Sequence, residues 1–95
     1  MPAYVYIMAS QRNGTIYTGV TSDIRRRVYE HKQGTFEGFS KEYDCKLLVW
    51  YEVYEEMIMA IQREKNLKHW VRKWKLQLIE KTNPHWEDLY ETLAF

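Results

Sequence analysis

The sequence predicts an α+β fold: a small three-stranded antiparallel sheet flanked by helices, in the order β-β-α-β-α-α. Three observations predict it. Two short runs rich in aromatic and branched residues flank an Asn13-Gly14 turn signal, which reads as a hairpin. A third such run, LLVWYEVY at 47–54, is strongly β-prone. The segments on either side of that run carry apolar residues at helical spacing, and strands and helices mixed in this order place the chain in the α+β class.

The first strand is AYVYIMA, residues 3–9, and the second is Thr15 to Val20. With a two-residue turn, Ser10 pairs with Tyr17, and alternation puts Tyr6, Met8, Tyr17 and Gly19 on one face. A three-residue loop would shift the register by one and separate the two tyrosines. Thr21, Ser22 and Asp23 then offer side-chain oxygens to the free amides of a helical first turn, so a helix begins near Ser22 or Asp23. It ends at Gly34, a residue suited to the left-handed position after a helix. At about 100° per residue, Ile24 and Val28 fix its apolar stripe. Arg27 and His31 fall within that stripe, one turn apart, while Arg25, Arg26 and Tyr29 point elsewhere. A helix built only for packing would carry aliphatic residues at positions 27 and 31.

Residues 34–45, with Gly34, Phe36, Gly38, Phe39 and Tyr43, lack a clear period and read as a loop or short helical turn packing its aromatics. Leu47 to Tyr54 is the third strand, buried on both sides for part of its length. A second helix follows from Glu55, with Met57, Ala60, Ile61, Leu67 and Val71 as its stripe and Glu64 in the middle of it. A carboxylate facing a core must be paired, protonated or bound to a metal. Helical spacing continues through Trp70, Trp74, Leu78 and Ile79. One unbroken helix of that length is unusual in so small a domain, so a bend is expected between His69 and Arg72. Thr82-Asn83-Pro84 ends the segment, and Glu87 to Leu93 form a last short helix.

The 95 residues fit one domain, 1–95, with roughly 60–70% of the unfolded surface buried on folding. A net charge of +1 argues against coating nucleic acid through bulk charge, yet the charge is uneven. Seven Lys or Arg lie between Arg63 and Lys81 against Glu64 and Glu80, whereas the last 14 residues hold Glu87, Asp88 and Glu91 and no Lys or Arg. A single Cys45 excludes an intramolecular disulfide, and with three scattered His it makes a structural zinc site an unattractive reading. With no apolar run of membrane-spanning length and no signal peptide, the expected location is the cytoplasm.

These residues resemble the GIY-YIG nuclease family, in particular its small stand-alone members. Tyr4-Val5-Tyr6 stands in place of the first family tripeptide and Tyr17-Thr18-Gly19 in place of the second. Ile24-x-x-Arg27-x-x-x-His31 is similar to the family's helix motif, Arg63-Glu64-x-x-Leu67-Lys68 to its metal-binding segment, and Asn83-Pro84 to its closing asparagine. The likeness covers roughly residues 3–90, and five elements in the right order outweigh any one of them. Tyr4 replaces the glycine of the first tripeptide and Thr18 the isoleucine of the second; both departures lie beside the tyrosines and not on them.

The resemblance implies a GIY-YIG endonuclease-like fold and a metal-dependent phosphodiesterase that cuts nucleic acid, DNA before RNA, with a repair or recombination setting. Mg²⁺ is the implied cofactor, Mn²⁺ its substitute. By position, Tyr17 deprotonates or orients the attacking water with Tyr6 beside it, Arg27 neutralises charge on the phosphate, and His31 assists proton transfer. Glu64 holds the metal, and Asn83 orients phosphate or a group behind it; beside the resemblance, the basic residues Arg25, Arg26 and Lys68 are candidates for contact with substrate phosphates. A protein partner that supplies substrate choice fits the lack of an attached DNA-binding domain.

Without the resemblance, the residues carry other readings. Tyr6 and Tyr17 are ordinary sheet aromatics, Arg27 and Glu64 form a structural ion pair, and Asn83 is a turn residue. Lys65, Arg72, Lys73 and Lys75 join Arg25, Arg26 and Lys68 as solvated surface. Beside the nuclease stand two functional alternatives: a nucleic-acid-binding or repair-accessory module with little or no turnover, and a protein-interaction domain using its aromatic surface.

Overall fold

Strands β1 (Ala3–Ala9), β2 (Ile16–Thr21) and β3 (Leu47–Tyr54) form one antiparallel sheet in the order β2-β1-β3, in a computed structural model that describes residues 2–35 and 38–93. The central strand β1 is buried along its whole length because both of its faces are covered. Tyr4, Tyr6 and Met8 face a core completed by Ile24, Val28, Leu48 and Leu93. Ala3, Val5, Ile7 and Ala9 face the opposite core, with Ala60, Leu67, Ile79 and Trp86. A helix therefore lies on each side of the sheet.

The hairpin differs from the expected two-residue turn. Ser10 N–H donates to the Thr15 carbonyl at 2.9 Å, Gly14 N–H to the Gln11 carbonyl at 2.9 Å, and Asn13 takes φ +59°, so the loop spans residues 11–14. The ladder pairs Met8 with Tyr17 and Tyr6 with Gly19. This register is two residues from the expected one, and a slip of two preserves side-chain parity. Tyr6, Met8 and Tyr17 thus share a face as the alternation required.

Helix α1 (Ile24–Gln33) starts where Asp23 accepts the Arg26 N–H and stops at Gly34, whose φ of +71° is left-handed. Its buried residues are Ile24, Val28 and His31. Helix α2 (Phe39–Glu42) is a single turn. The expected packing of Phe36 and of the Phe39 side chain lies outside the described residues. Helix α3 (Met57–His69) and helix α4 (Arg72–Thr82) are separated at Trp70 and Val71, which take extended backbone angles; this is the expected bend. Ala60 and Leu67 bury against the sheet, but Ile61, Val71 and Trp74 are exposed. The predicted stripe is thus narrower than expected: Ile61 lies off the buried face of α3, and the break redirects everything after residue 69.

After α4 the chain crosses to the other layer and ends in a 3-10 turn, Leu89–Thr92. It does so along the outer edge of β3, where a bulge leaves Val49 between the pairs Ile7–Trp50 and Met8–Leu48. A bulge disrupts the ladder locally, and the C-terminal segment supplies the missing partners. Asn83 Nδ2 donates to the Val49 carbonyl at 3.0 Å, and the Leu48 N–H donates to Asp88 Oδ1 at 3.1 Å. Among the described residues no helix is long and apolar enough to cross a membrane.

Candidate active site

Antiparallel pairing sets Tyr6 opposite Gly19, and this pairing makes the site possible. A β-carbon built on Gly19 would lie 2.5 Å from both Cζ and the hydroxyl oxygen of Tyr6. Only a residue without a side chain lets the Tyr6 ring lie over β2. In that position Tyr6 Oη is 3.0 Å from His31 Nε2, and the ring centroids of Tyr6, Tyr17 and His31 are mutually 5.3–6.4 Å apart. Tyr6 and His31 are buried; Tyr17, on the edge strand, is half-buried and is the tyrosine that meets solvent.

The electrostatics fix the protonation states. Burial, then the neighbouring Tyr17 and Glu64, hold the Tyr6 phenol above its ordinary range, against the pull of the Arg27 guanidinium, which hydrogen-bonds it. Tyr6 therefore keeps its proton. Burial, then the Arg27 charge, push His31 down to about 4, with Glu30 opposing, so its imidazole is neutral near pH 7. A protonated phenol and a neutral imidazole share one hydrogen bond, whose donor is set by the imidazole tautomer.

Arg27 is half-buried, with Nε 3.4 Å from Glu30 Oε1, and borders a polar depression lined by Thr21, Ser22, Asp23, Arg26 and Glu30. Glu64 arrives from the opposite layer on α3. Its side chain is 13% exposed and its Oε2 lies 2.9 Å from Lys68 Nζ. The expected alternative, a structural pair between Arg27 and Glu64, gives way to pairs of each with a neighbour on its own helix. The Glu64 charge is the smallest of the influences that bear on the Tyr6 phenol.

As a metal ligand, Glu64 offers one hard carboxylate donor. Among the described residues no group of three or more His, Cys, Asp and Glu side chains converges. An ion held at Glu64 would complete its shell with water and substrate oxygens, the habit of Mg²⁺ rather than of zinc in a closed cage. The donor set fits magnesium in that sense.

The four residues expected to contact substrate separate in space. Arg26 and Lys68 are exposed, paired with Glu30 at 3.5 Å and with Glu64. Arg25 Nη1 donates to the Leu93 carbonyl at 3.0 Å and its guanidinium lies over the Tyr90 ring, so in this conformation it is spent on the C-terminal segment. Asn83 is buried, giving Nδ2 to the Val49 and Glu87 carbonyls and accepting the Glu87 N–H on Oδ1. Its amide brackets β3 to the C-terminal segment and presents no open group to a substrate.

Sequence reasoning missed a clamp behind α1. Lys32, next to His31, pairs with Asp88, donates to the Lys46 carbonyl at 3.0 Å and lies over the face of Tyr90. Asp88 also accepts the Leu48 and Tyr90 amides. Only the acidic character of the tail, set against a basic helix, foreshadowed this contact.

Two tyrosines on one sheet face and a helix that brings an arginine and a histidine to them make up the candidate site. Residues 2–77 match the family model of the GIY-YIG catalytic domain, and the chain belongs to that family. It is 35% identical over 77 residues to UPF0213 proteins of Staphylococcus aureus strains Mu3 and N315, covering 81% of this chain and 93% of theirs. Its fold is similar to the solution structure of the UPF0213 protein BH0048 from Bacillus halodurans, with a TM-score of 0.55, 27% identity and 93% of each chain covered.

Proposed function

We propose that this protein is a Mg²⁺-dependent endonuclease that hydrolyses phosphodiester bonds in nucleic acid, with DNA the favoured polymer, Mn²⁺ an acceptable substitute and repair or recombination the setting. The observation that carries the reading is the meeting of Tyr6, Tyr17 and His31 within 5.3–6.4 Å over a glycine that alone leaves room for it. Sheet aromatics used only for packing require neither a buried neutral histidine nor a buried hydroxyl held by an arginine.

Tyr17, the solvent-facing member, orients the attacking water. His31, neutral near pH 7, takes part in moving a proton through the hydrogen bond it shares with Tyr6, which also holds its ring in place. As the water oxygen bonds to phosphorus and the bond to the leaving oxygen breaks, Arg27 meets the charge gathering on the non-bridging oxygens with a planar set of N–H donors. Glu64 would hold the metal, which, when bound, supplies Lewis-acid polarisation of the phosphate and lowers the pKa of a coordinated water. Arg26 and Lys68 meet the strand on either side, and a protein partner can narrow the choice of substrate.

The test is cleavage of labelled single-stranded, duplex, flapped and branched DNA and RNA, with Mg²⁺, Mn²⁺ or chelator. Metal-dependent cutting by the wild type and none by Glu64→Ala of unchanged melting temperature supports the reading. Metal-independent cutting, or equal cutting by both, overturns it. Salt-dependent binding without turnover in any condition would favour the accessory module.

A further inference from the structure

Between the active site and the hairpin tip the chain gathers like charge. Lys68, at the end of α3, reaches back to Glu64 at 2.9 Å and is still 52% exposed. Arg72, the first residue of α4, donates Nη2 to the Asn13 and Gly14 carbonyls at 3.0 and 2.5 Å, which draws the corner onto the hairpin loop. Lys75 sits one turn further along α4, on the side of Arg72, and is half-buried. Backbone carbonyls leave the Arg72 charge uncancelled and use only part of its five N–H donors. Among the described residues, the side chains whose charges bear on Lys75 are Lys68 and Arg72, both cations. Holding a partly desolvated ammonium beside two like charges costs stability. The exposed Lys68 and Arg72 and the half-buried Lys75 thus make one cationic patch at the corner between the helices.

We propose that Lys68, Arg72 and Lys75, where α3 turns into α4, seat a backbone phosphate of the nucleic acid and so align the strand beside Glu64. The proposal rests on the nucleic-acid reading above and adds the surface along which the strand runs. A phosphodiester suits this seat because its two non-bridging oxygens can accept from a guanidinium and an ammonium at once. Lys68 then has a double role, neighbour to Glu64 on one side and to the strand on the other.

The test uses the full chain, fluorescent duplex and single-stranded oligonucleotides of one sequence, and chelator to prevent turnover. Affinity is measured against salt concentration for wild type, Lys75→Gln and Lys75→Arg. Lys75→Gln should weaken binding at low salt by about 3- to 10-fold and lower the slope of log affinity against log salt by about 0.7–0.9, the share of one phosphate contact. Its melting temperature at low salt should stay the same or rise, because one of three repelling charges is gone. Lys75→Arg should bind like the wild type. Lost binding with a lowered melting temperature in Lys75→Gln and no rescue by arginine would mark Lys75 as structural and overturn the seat. Unchanged affinity and slope in a wild type that binds would overturn the seat and leave the nuclease reading standing, whereas a wild type that binds no oligonucleotide at low salt would overturn both.

Discussion

The residue that decides this site is a glycine with no chemistry of its own. Gly19→Ala places a methyl group 2.5 Å from the Tyr6 hydroxyl, in a strand whose partner is wholly buried, so the ring must leave its position over β2. Overpacking of this kind costs about 1–3 kcal/mol. Gly19→Ala should melt earlier than the wild type and lose the Tyr6–His31 hydrogen bond, seen as a changed His31 ring resonance. Tyr6→Phe keeps the packing but leaves a buried imidazole nitrogen without its partner, worth about 1–3 kcal/mol of stability. His31 also carries a pH dependence of known sign. Its folded pKa of about 4 lies below the ordinary 6.5, so between pH 6.5 and 4 the unfolded chain binds a proton that the folded chain refuses. The stability that His31 contributes is complete above pH 6.5 and is lost as pH falls towards 4, at no more than about 1.4 kcal/mol per pH unit. Denaturation midpoints across that window should fall with acid for the wild type and fall less for His31→Gln.

At the scale of the element, α1 is held at three places. Asp23 caps its start, Gly34 closes its end, and the tail grips its flank through Lys32, Asp88, Tyr90 and Arg25. The first two were legible in the sequence because capping is a local code: a short polar side chain before the helix and a glycine after it. The grip was not, because it joins residues 56 and 68 positions apart. The same limit applies to Asn83, which as a residue before proline reads as a turn and instead binds a bulge 34 positions away. Asn83→Ala leaves the Val49 carbonyl and the Glu87 amide without partners and should cost about 2–4 kcal/mol in chemical denaturation, with activity per folded molecule retained. An effect on turnover far beyond the loss of folded protein would return Asn83 to the substrate.

At the scale of the molecule, the sheet is a partition. Tyrosines, arginine and histidine come from the layer of α1, the carboxylate from the layer of α3, and β2 lies between them at the sheet's free edge. Period-two alternation in the strands and the break near residue 70 were enough to recover this architecture, including a tyrosine face that survived the wrong hairpin loop because the slip was even. Alternation says which residues share a face, but not what lies across the sheet from them. Arg27 and Glu64 stood out because each interrupts an apolar stripe, while the exposure of Val71 and Trp74 depended on a bend whose direction no local pattern encodes.

The central claim is that side chains from the two layers act as one catalytic unit. Its most direct measurement is the single-turnover cleavage rate in Mg²⁺ of wild type, Tyr17→Phe, Glu64→Ala and the double variant, each shown to be folded by its melting curve. Members of one unit are not additive, since losing either disables the same step. Each single variant should fall by about 100-fold or more, and the double variant should be no slower than the worse single variant within a few-fold. Single variants that cut at the wild-type rate, or losses that multiply in the double variant, would show that the tyrosine face and the carboxylate do not form one site.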